Sequence, residues 1–93
     1  TAPAKNEVGS HVTNSLVSAG CRIYGSVTGS VLGRNIIVES GATVRDSVIM
    51  QDCVIKSGAR IENAIVDRNT LVPAGTALRG TPEDVLIKEK GRD

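Results

Sequence analysis

Aromatic residues are almost absent from this sequence of 93 residues, which contains one Tyr and no Phe or Trp. Without aromatic rings, the chain has no platform on which nucleic-acid bases could stack. Its 11 basic and 10 acidic residues leave a net charge of +1, so no excess of charge favours nucleic acid or an anionic membrane. No apolar run approaches the roughly 18 residues that span a bilayer, and no signal peptide is visible. We therefore expect a cytoplasmic protein that binds neither nucleic acid nor membrane.

What the sequence does contain is a series of aliphatic residues in steps of six, six and five. A smaller residue lies two positions before each one except Val38, which is preceded by the bulky Ile36. Gly, Asn or Asp residues, which suit turns, lie between them. A helix repeats at 3.6 residues and a strand at two, whereas a cycle of 17 residues in three steps is typical of a solenoid. This spacing predicts an all-β, hexapeptide-repeat solenoid of about four coils. The series comprises Leu32, Val38, Val44, Ile49, Ile55, Ile61, Val66, Val72 and Leu78.

The repeat divides the chain into three parts. Residues 1–5 are interpreted as a linker and residues 6–80 as the β-helix, because the spacing holds across that range. Residues 81–93 form a tail that leaves the repeat. Within the tail, residues 85–88 have the composition of one more strand, which we expect to cap the last coil.

One coil departs from the regular spacing. Val17 to Ile23 is a step of six residues, but Ile23 to Val27 is a step of only four. Because this coil is two residues short, we predict a tightened corner near Tyr24 and Gly25.

Cysteine and histidine are too few for a metal site or a disulfide framework. The spacing of Cys21 and Cys53 fits no zinc pattern, and His11, the lone histidine, cannot complete one. In the repeat, both cysteines occupy the same column two coils apart, roughly 9.6 Å at the usual strand separation. A disulfide needs Cα atoms within about 7 Å. We therefore predict two buried, reduced thiols, as in cytoplasmic proteins.

The residue before each inward aliphatic should point outward, because side chains alternate along a strand. On two of the three outer faces these residues are largely apolar, which predicts that something covers them. The alternative is that β-branched residues simply suit strands on either side. One apolar face carries Leu16, Val31, Val48 and Ile65; another carries Arg22, Ile37, Val54 and Leu71; the mostly polar face carries His11, Ser26, Thr43, Arg60 and Ala77.

The sequence carries no recognisable catalytic motif. It contains no P-loop, HExxH or GxSxG pattern, so we predict no catalytic residue and no metal ligand. Many hexapeptide β-helix proteins are acyltransferases that use a histidine as general base; His11 is the only candidate, and we interpret it as a surface residue. Lys88 and Lys90, close to Arg92, are candidates for binding a phosphate-bearing effector, and the alternative is a solvated basic end.

The stretch from Asn14 to Ile87 resembles the C-terminal domain of bacterial glucose-1-phosphate adenylyltransferase. The segments NSLVSAGCRIYGSVTGSVL, DSVIMQDCVIKSGARIENAIVDRNTLVPAGTALRG and VLIKEKG carry the resemblance. Within them, VIMQDCVI, ENAIVDRN and the ending VLIKEKG look more like the regulatory-type paralogue subunit than the catalytic one. In this family a left-handed parallel β-helix follows an N-terminal nucleotidyltransferase domain.

The resemblance implies a non-catalytic domain that serves subunit assembly and allosteric regulation in an enzyme of glycogen biosynthesis. That enzyme makes ADP-glucose from ATP and glucose 1-phosphate. The expected partners are the chain's own N-terminal nucleotidyltransferase domain and further subunits in a homo- or hetero-oligomer. ATP and Mg²⁺ would bind that domain, whose glycine-rich loop and metal-binding aspartates have no counterpart here, so we expect no cofactor in this chain. Two alternatives stay open: an acyltransferase, and a β-helix module of another sugar-phosphate nucleotidyltransferase.

Overall fold

Every regular element of the molecule is a short β-strand in the computed structural model, which describes residues 5–6 and 10–90. Each strand is two or three residues long, because a turn follows every few residues of the repeat. The strands are β1 (Lys5–Asn6), β2 (His11–Thr13), β3 (Leu16–Val17), β4 (Arg22–Ile23), β5 (Ser26–Thr28), β6 (Val31–Leu32), β7 (Ile37–Val38), β8 (Thr43–Arg45), β9 (Val48–Ile49), β10 (Val54–Ile55), β11 (Arg60–Glu62), β12 (Ala64–Val66), β13 (Leu71–Val72), β14 (Ala77–Arg79) and β15 (Leu86–Lys88).

The strands form three parallel sheets of five strands each, and neighbours within a sheet are three strands apart in sequence. We name the sheets the first face (β1, β4, β7, β10, β13), the second face (β2, β5, β8, β11, β14) and the third face (β3, β6, β9, β12, β15). The chain therefore winds around three sides of a prism and returns to the first face four times between β1 and β13. This is the architecture predicted from the sequence, a left-handed parallel β-helix of about four coils.

The aliphatic series fills the inside of the prism, as the spacing predicts. The residues that are fully shielded from solvent include Ile23, Val27, Leu32, Ile36, Val38, Val44, Ile49, Ile55, Ile61, Val66 and Val72. Burying one such side chain contributes about 1.5–3 kcal/mol. The smaller residues two positions earlier, such as Ala42, Ala59 and Ala64, are buried as well. At the two ends of the prism Val12, Val17, Leu78 and Leu86 are half-buried against this core.

The three corners of the prism are built from residues that tolerate a positive φ. Such a conformation costs an ordinary L-residue about 1–2 kcal/mol, but suits Gly and, to a lesser degree, Asn and Asp. The first corner, between the first and second faces, has Gly41, Gly58 and Gly75; the second corner, between the second and third faces, has Asn14, Gly29, Asp46 and Asn63; the third corner, between the third and first faces, has Gly20, Asn35, Asp52 and Asn69. The turn residues predicted from the sequence thus occupy the corners.

The corner at Tyr24 and Gly25 is two residues shorter than its equivalents, as predicted. Only these two residues separate β4 from β5, whereas residues 39–42 separate β7 from β8. A Cβ atom on Gly25 would lie 2.4 Å from the backbone oxygen of Ala42 and 2.7 Å from that of Glu39. The short corner therefore packs directly on the backbone of the next coil, and this close approach requires glycine.

A column of serines provides hydrogen bonds between successive coils at the start of the third face. The Ser30 Oγ donates to the Thr28 carbonyl at 2.9 Å and accepts from the Ser47 N–H at 3.1 Å. Ser47 repeats the arrangement, since its Oγ accepts from the buried Ala64 N–H at 3.1 Å. An unpaired buried N–H costs about 1–3 kcal/mol. The sequence reveals these serines only as small residues, but their hydroxyls complete the inter-coil ladder.

The tail returns to the prism and completes its last coil. An antiparallel bridge joins Thr81 and Asp84, after which β15 pairs with β12 and places Ile87 beside Ile65. The additional strand predicted in residues 85–88 is therefore confirmed. At the other end β1 begins at Lys5, and the rest of the predicted linker, residues 1–4, lies outside the described residues.

Candidate functional site

The third face presents an unbroken row of aliphatic side chains to the outside. The row consists of Leu16, Val31, Val48, Ile65 and Ile87, in register across all five strands, and we call it the apolar ladder. Leu16 is 72% exposed, Val48 is 40% exposed and Ile87 is 65% exposed, whereas Ile65 is half-buried. Soluble proteins seldom leave a contiguous apolar patch uncovered unless it binds something.

The repeat spacing predicts four members of the apolar ladder but not Ile87. The insertion at residues 80–85 breaks the 17-residue spacing, so counting from Ile65 does not lead to Ile87. Side chains alternate between inward and outward positions along residues 85–88. Pairing this strand with β12 would have identified Ile87 as an outward residue.

The first face is only partly apolar on its outer side. Arg22, Ile37, Val54 and Leu71 share one column, as the repeat predicts. Leu71 is 55% exposed, but Ile37 and Val54 are half-buried and Arg22 is charged. This face therefore offers a weaker apolar surface than the third face.

The second face is largely polar on its outer side. Its outer column consists of His11, Ser26, Thr43, Arg60 and Ala77. A further outer column ends in Arg79, which pairs with Glu62 at 3.8 Å. A surface of this kind is compatible with solvent and does not require a partner.

A shallow groove of about 340 Å³ runs along the third corner beside the apolar ladder. It forms where Gly33 lacks a side chain, and a Cβ atom there would lie 2.9 Å from the Gln51 nitrogen. Arg34 and Arg68 stand on its rim, both exposed. Within the described part of the chain neither arginine forms an ion pair. The remaining lining residues are Ser18, Val31, Val48, Ile49, Met50 and Gln51.

The two candidate effector lysines have different surroundings. Lys88 lies opposite Val66 in the sheet register and is half-buried at the end of the prism. Lys90 is exposed, and its backbone N–H donates to the Asp67 carboxylate at 3.5 Å. Arg92, the third cation of the predicted cluster, lies outside the described residues. Lys90 is therefore the more exposed of the two candidate lysines.

The remaining chemically interesting side chains form no recognisable catalytic or metal centre in the described residues. His11 lies exposed on the second face. No group of three potential metal ligands is found among residues 5–6 and 10–90. The same residues contain no helix that could span a membrane.

Both cysteines are buried, free thiols in one column beneath the third corner. The Cys21 Sγ donates to the Gly33 carbonyl at 3.1 Å, and the Cys53 Sγ donates to the equivalent Asp67 carbonyl at 3.0 Å. Burial raises the pKa of both thiols above the ordinary value of 9.0. The predicted unbridged thiols are confirmed, and their protonated state makes them poor nucleophiles.

Comparison with known proteins identifies one family. A family model described as GlmU-like, C-terminal hexapeptide, matches residues 2–84. The match includes strands β1 to β14 and ends in the turn before β15. No curated protein matches the chain.

Proposed function

We propose that this chain acts in the assembly and regulation of an enzyme. The family model matches most of the chain, which therefore belongs to the GlmU-like C-terminal hexapeptide family of β-helix modules in sugar-phosphate nucleotidyltransferases. The proposed enzyme is the glucose-1-phosphate adenylyltransferase that residues 14–87 resemble, and the proposed subunit is its regulatory-type paralogue. ATP and Mg²⁺ bind the nucleotidyltransferase domain in this proposal, and the β-helix holds neither. The proposed location is the cytoplasm, where ADP-glucose supplies glycogen synthesis.

The apolar ladder of the third face carries the assembly role. Its five side chains form one strip across every coil, and their exposure leaves apolar area for a partner to remove from water at about 25 cal/mol per Å². Ile37, Val54 and Leu71 on the first face provide a second, weaker contact surface. The proposed partners are the subunit's own nucleotidyltransferase domain and neighbouring subunits.

A regulatory role would use the exposed cation at the end of the prism. Lys90 lies at the third corner next to β15, and Lys88 is half-buried inside the last coil. A phosphate-bearing effector bound at Lys90 would contact the last coil. Through that coil it could alter how the β-helix contacts its partners.

An assay of the whole subunit tests this function. The subunit that contains this chain is combined with the catalytic subunit of the same source, and pyrophosphate release is measured with ATP, Mg²⁺ and glucose 1-phosphate. We expect the subunit alone to be inactive and the combination to respond more strongly to sugar phosphates. Lys90→Ala should weaken this response, whereas Arg60→Ala, on the second face, should not. No change in response on adding the subunit would contradict a regulatory role.

The two alternatives give different results in the same assay. A preference for another nucleotide or sugar phosphate would indicate a different member of the nucleotidyltransferases. An acyltransferase would instead need a trimer with His11 between adjacent prisms, because a β-helix surface alone provides no closed site. Acyl transfer that disappears in the His11→Ala variant would support that function.

A further inference from the structure

We propose that Pro73 and Lys88 close the C-terminal end of the prism, so that neither a further coil nor a second copy of this chain stacks on it. This end consists of β13, β14 and β15, the last strand of each face. A terminal strand has backbone groups and apolar side chains that another strand could cover, so an unprotected solenoid end favours aggregation. The closure is independent of the assembly role proposed for the third face.

Each coil of the first face donates N–H groups to the coil that follows it. Just after the strands, the Glu39 N–H donates to the Ile55 carbonyl at 2.9 Å. One coil further, the Lys56 N–H donates to the Val72 carbonyl at 3.0 Å. Pro73 occupies the same row in the last coil, because Ile55 pairs with Val72. Since proline has no N–H, this row ends without a donor for another strand.

Pro73 otherwise keeps the hydrogen bonding of the coil beneath it. Its carbonyl accepts the Thr76 N–H at 3.2 Å, which closes the turn at the first corner. In the coil beneath, the Lys56 carbonyl accepts the Ala59 N–H at 3.1 Å in the same way. Proline at this position therefore removes only the hydrogen bond that would reach the next coil.

Lys88 places a cation at the end of a column of aliphatic residues. On the third face the register aligns Leu32, Ile49, Val66 and Lys88 at inward positions. The three aliphatic residues are fully buried, whereas Lys88 is half-buried. A lysine can cover an apolar surface with its stem while its ammonium group stays in water. Lys88 forms no ion pair within the described part of the chain, so a coil stacked on it would bury an unpaired charge.

Polar residues in the inward register are confined to the first and last strands of the molecule. In β1 the register aligns Asn6 with Ile23. The inward positions of the strands between β1 and β15 are all apolar, and Lys88 is the one charged residue at an inward position among the described strands. Terminal repeats of a solenoid need such polar residues because their outer side meets water.

The second corner of the last coil also departs from the path of the coil beneath. Asn63 alone connects β11 to β12, whereas residues 80–85 connect β14 to β15. Within this insertion Thr81 and Asp84 exchange backbone hydrogen bonds at 2.9 Å and 3.1 Å, which closes the turn. Because stacked coils follow the same path, a coil of regular length would not stay in register over this corner.

Moving a lysine from one row to the other tests the closure without changing the net charge. The variant Pro73→Lys with Lys88→Val gives the last coil the residues of the coil beneath, Lys56 and Val66. We expect larger species that increase with concentration in sedimentation velocity, and particles lengthened by whole prisms in electron microscopy. Its association constant should exceed that of the native chain by roughly tenfold or more, because stacking no longer buries an unpaired charge.

Two further variants show whether position or composition causes the association. Pro82→Lys with Lys90→Val makes the same residue changes in the exposed turn and beyond β15, and it should sediment like the native chain. Pro73→Lys with Lys88→Arg keeps a cation in the inward column, so it should associate less than the Lys88→Val version. Circular dichroism confirms that each variant is folded. If Pro73→Lys unfolds the chain, Lys88→Val alone should still show stronger association than the native chain.

The same measurements in the Val48→Lys, Ile65→Lys background distinguish this closure from assembly through the third face. Those charges should abolish lateral association and leave the end-to-end association of the opened variant intact. A folded Pro73→Lys, Lys88→Val variant that sediments like the native chain at every concentration would overturn the proposal. Equal association of the Pro82→Lys, Lys90→Val control would overturn it as well. Either result would leave the proposed function unaffected.

Discussion

The second and third faces of this prism have the same interior and very different exteriors. Beneath the second face, Ala59 and Ile61 point inward and are buried; beneath the third face, Ala64 and Val66 do the same. Outside, the second face presents hydroxyls and charges, whereas the third face presents the apolar ladder. The fold thus constrains only the inward half of each strand, and the outward half reflects what each face meets.

Because the two faces have the same kind of interior, substitutions that disturb the stacking of the coils should cause the largest losses of stability. Gly25→Ala would place a methyl group 2.4 Å from the Ala42 oxygen. Since this atom belongs to the backbone of the next coil, it cannot move without shifting that coil. We expect a loss of about 3 kcal/mol, at the upper end for overpacking, measured by thermal or denaturant unfolding.

Gly75→Ala is the matched control for this substitution. Gly75 has a φ of 72°, but a Cβ atom there would meet nothing within 4 Å. The substitution should therefore lower the free energy of unfolding only by the cost of a positive φ at alanine, about 1–2 kcal/mol. Equal losses at Gly25 and Gly75 would show that close contact between coils is not what constrains the short corner.

The next prediction compares the stability cost of filling the interior beneath each of the two faces. Ala59→Leu and Ala64→Leu each add three carbon atoms to the tight inner columns, one under each face. We expect both to cost about 1–3 kcal/mol, because both positions are fully enclosed. An unchanged melting temperature for either variant would contradict the inward orientation of the substituted side chain beneath that face.

The sequence alone was sufficient to predict the inward half of the structure. Burial requires an aliphatic residue at each regular position, so the spacing reveals the register, the short corner at Tyr24 and Gly25, and the separation of Cys21 and Cys53. The composition of the tail also predicted its strand. These features either repeat along the chain or interrupt the repeat, so they can be recognised in a single sequence.

The features that the sequence did not predict depend on atoms from different coils. Ser47 is small enough to satisfy the pattern, so its hydrogen bond to Ala64 is invisible until the coils are stacked. The groove beside Gly33 likewise arises from different coils, since Arg34 and Arg68 on its rim are 34 positions apart in sequence. Ile87 was missed because the tail changes the spacing.

Substitutions on the outside should separate assembly from stability. Val48→Lys with Ile65→Lys places two charges in the apolar ladder, while Thr43→Lys with Ala77→Lys places two on the second face. Each pair should change the stability of the monomer by no more than about 0.5 kcal/mol per site, as for most surface positions. Light scattering should show loss of association only for the ladder variant. Unchanged oligomer size in that variant would contradict docking through the third face.

The smallest effect should come from the thiols beneath the third corner. Burial raises the pKa of Cys21 and Cys53 above 9.0 in the folded chain. The stabilisation from the neutral thiols is therefore fully present below the pKa of the unfolded chain, and it is lost as pH rises through the higher pKa of the folded state. We expect the free energy of unfolding to fall less steeply above pH 9 in a Cys21→Ala, Cys53→Ala variant than in the native chain. Denaturant titrations at several pH values measure both slopes, and parallel slopes would show that the thiols ionise equally in both states. The comparison concerns slopes because the cavities left by the two substitutions lower stability at every pH.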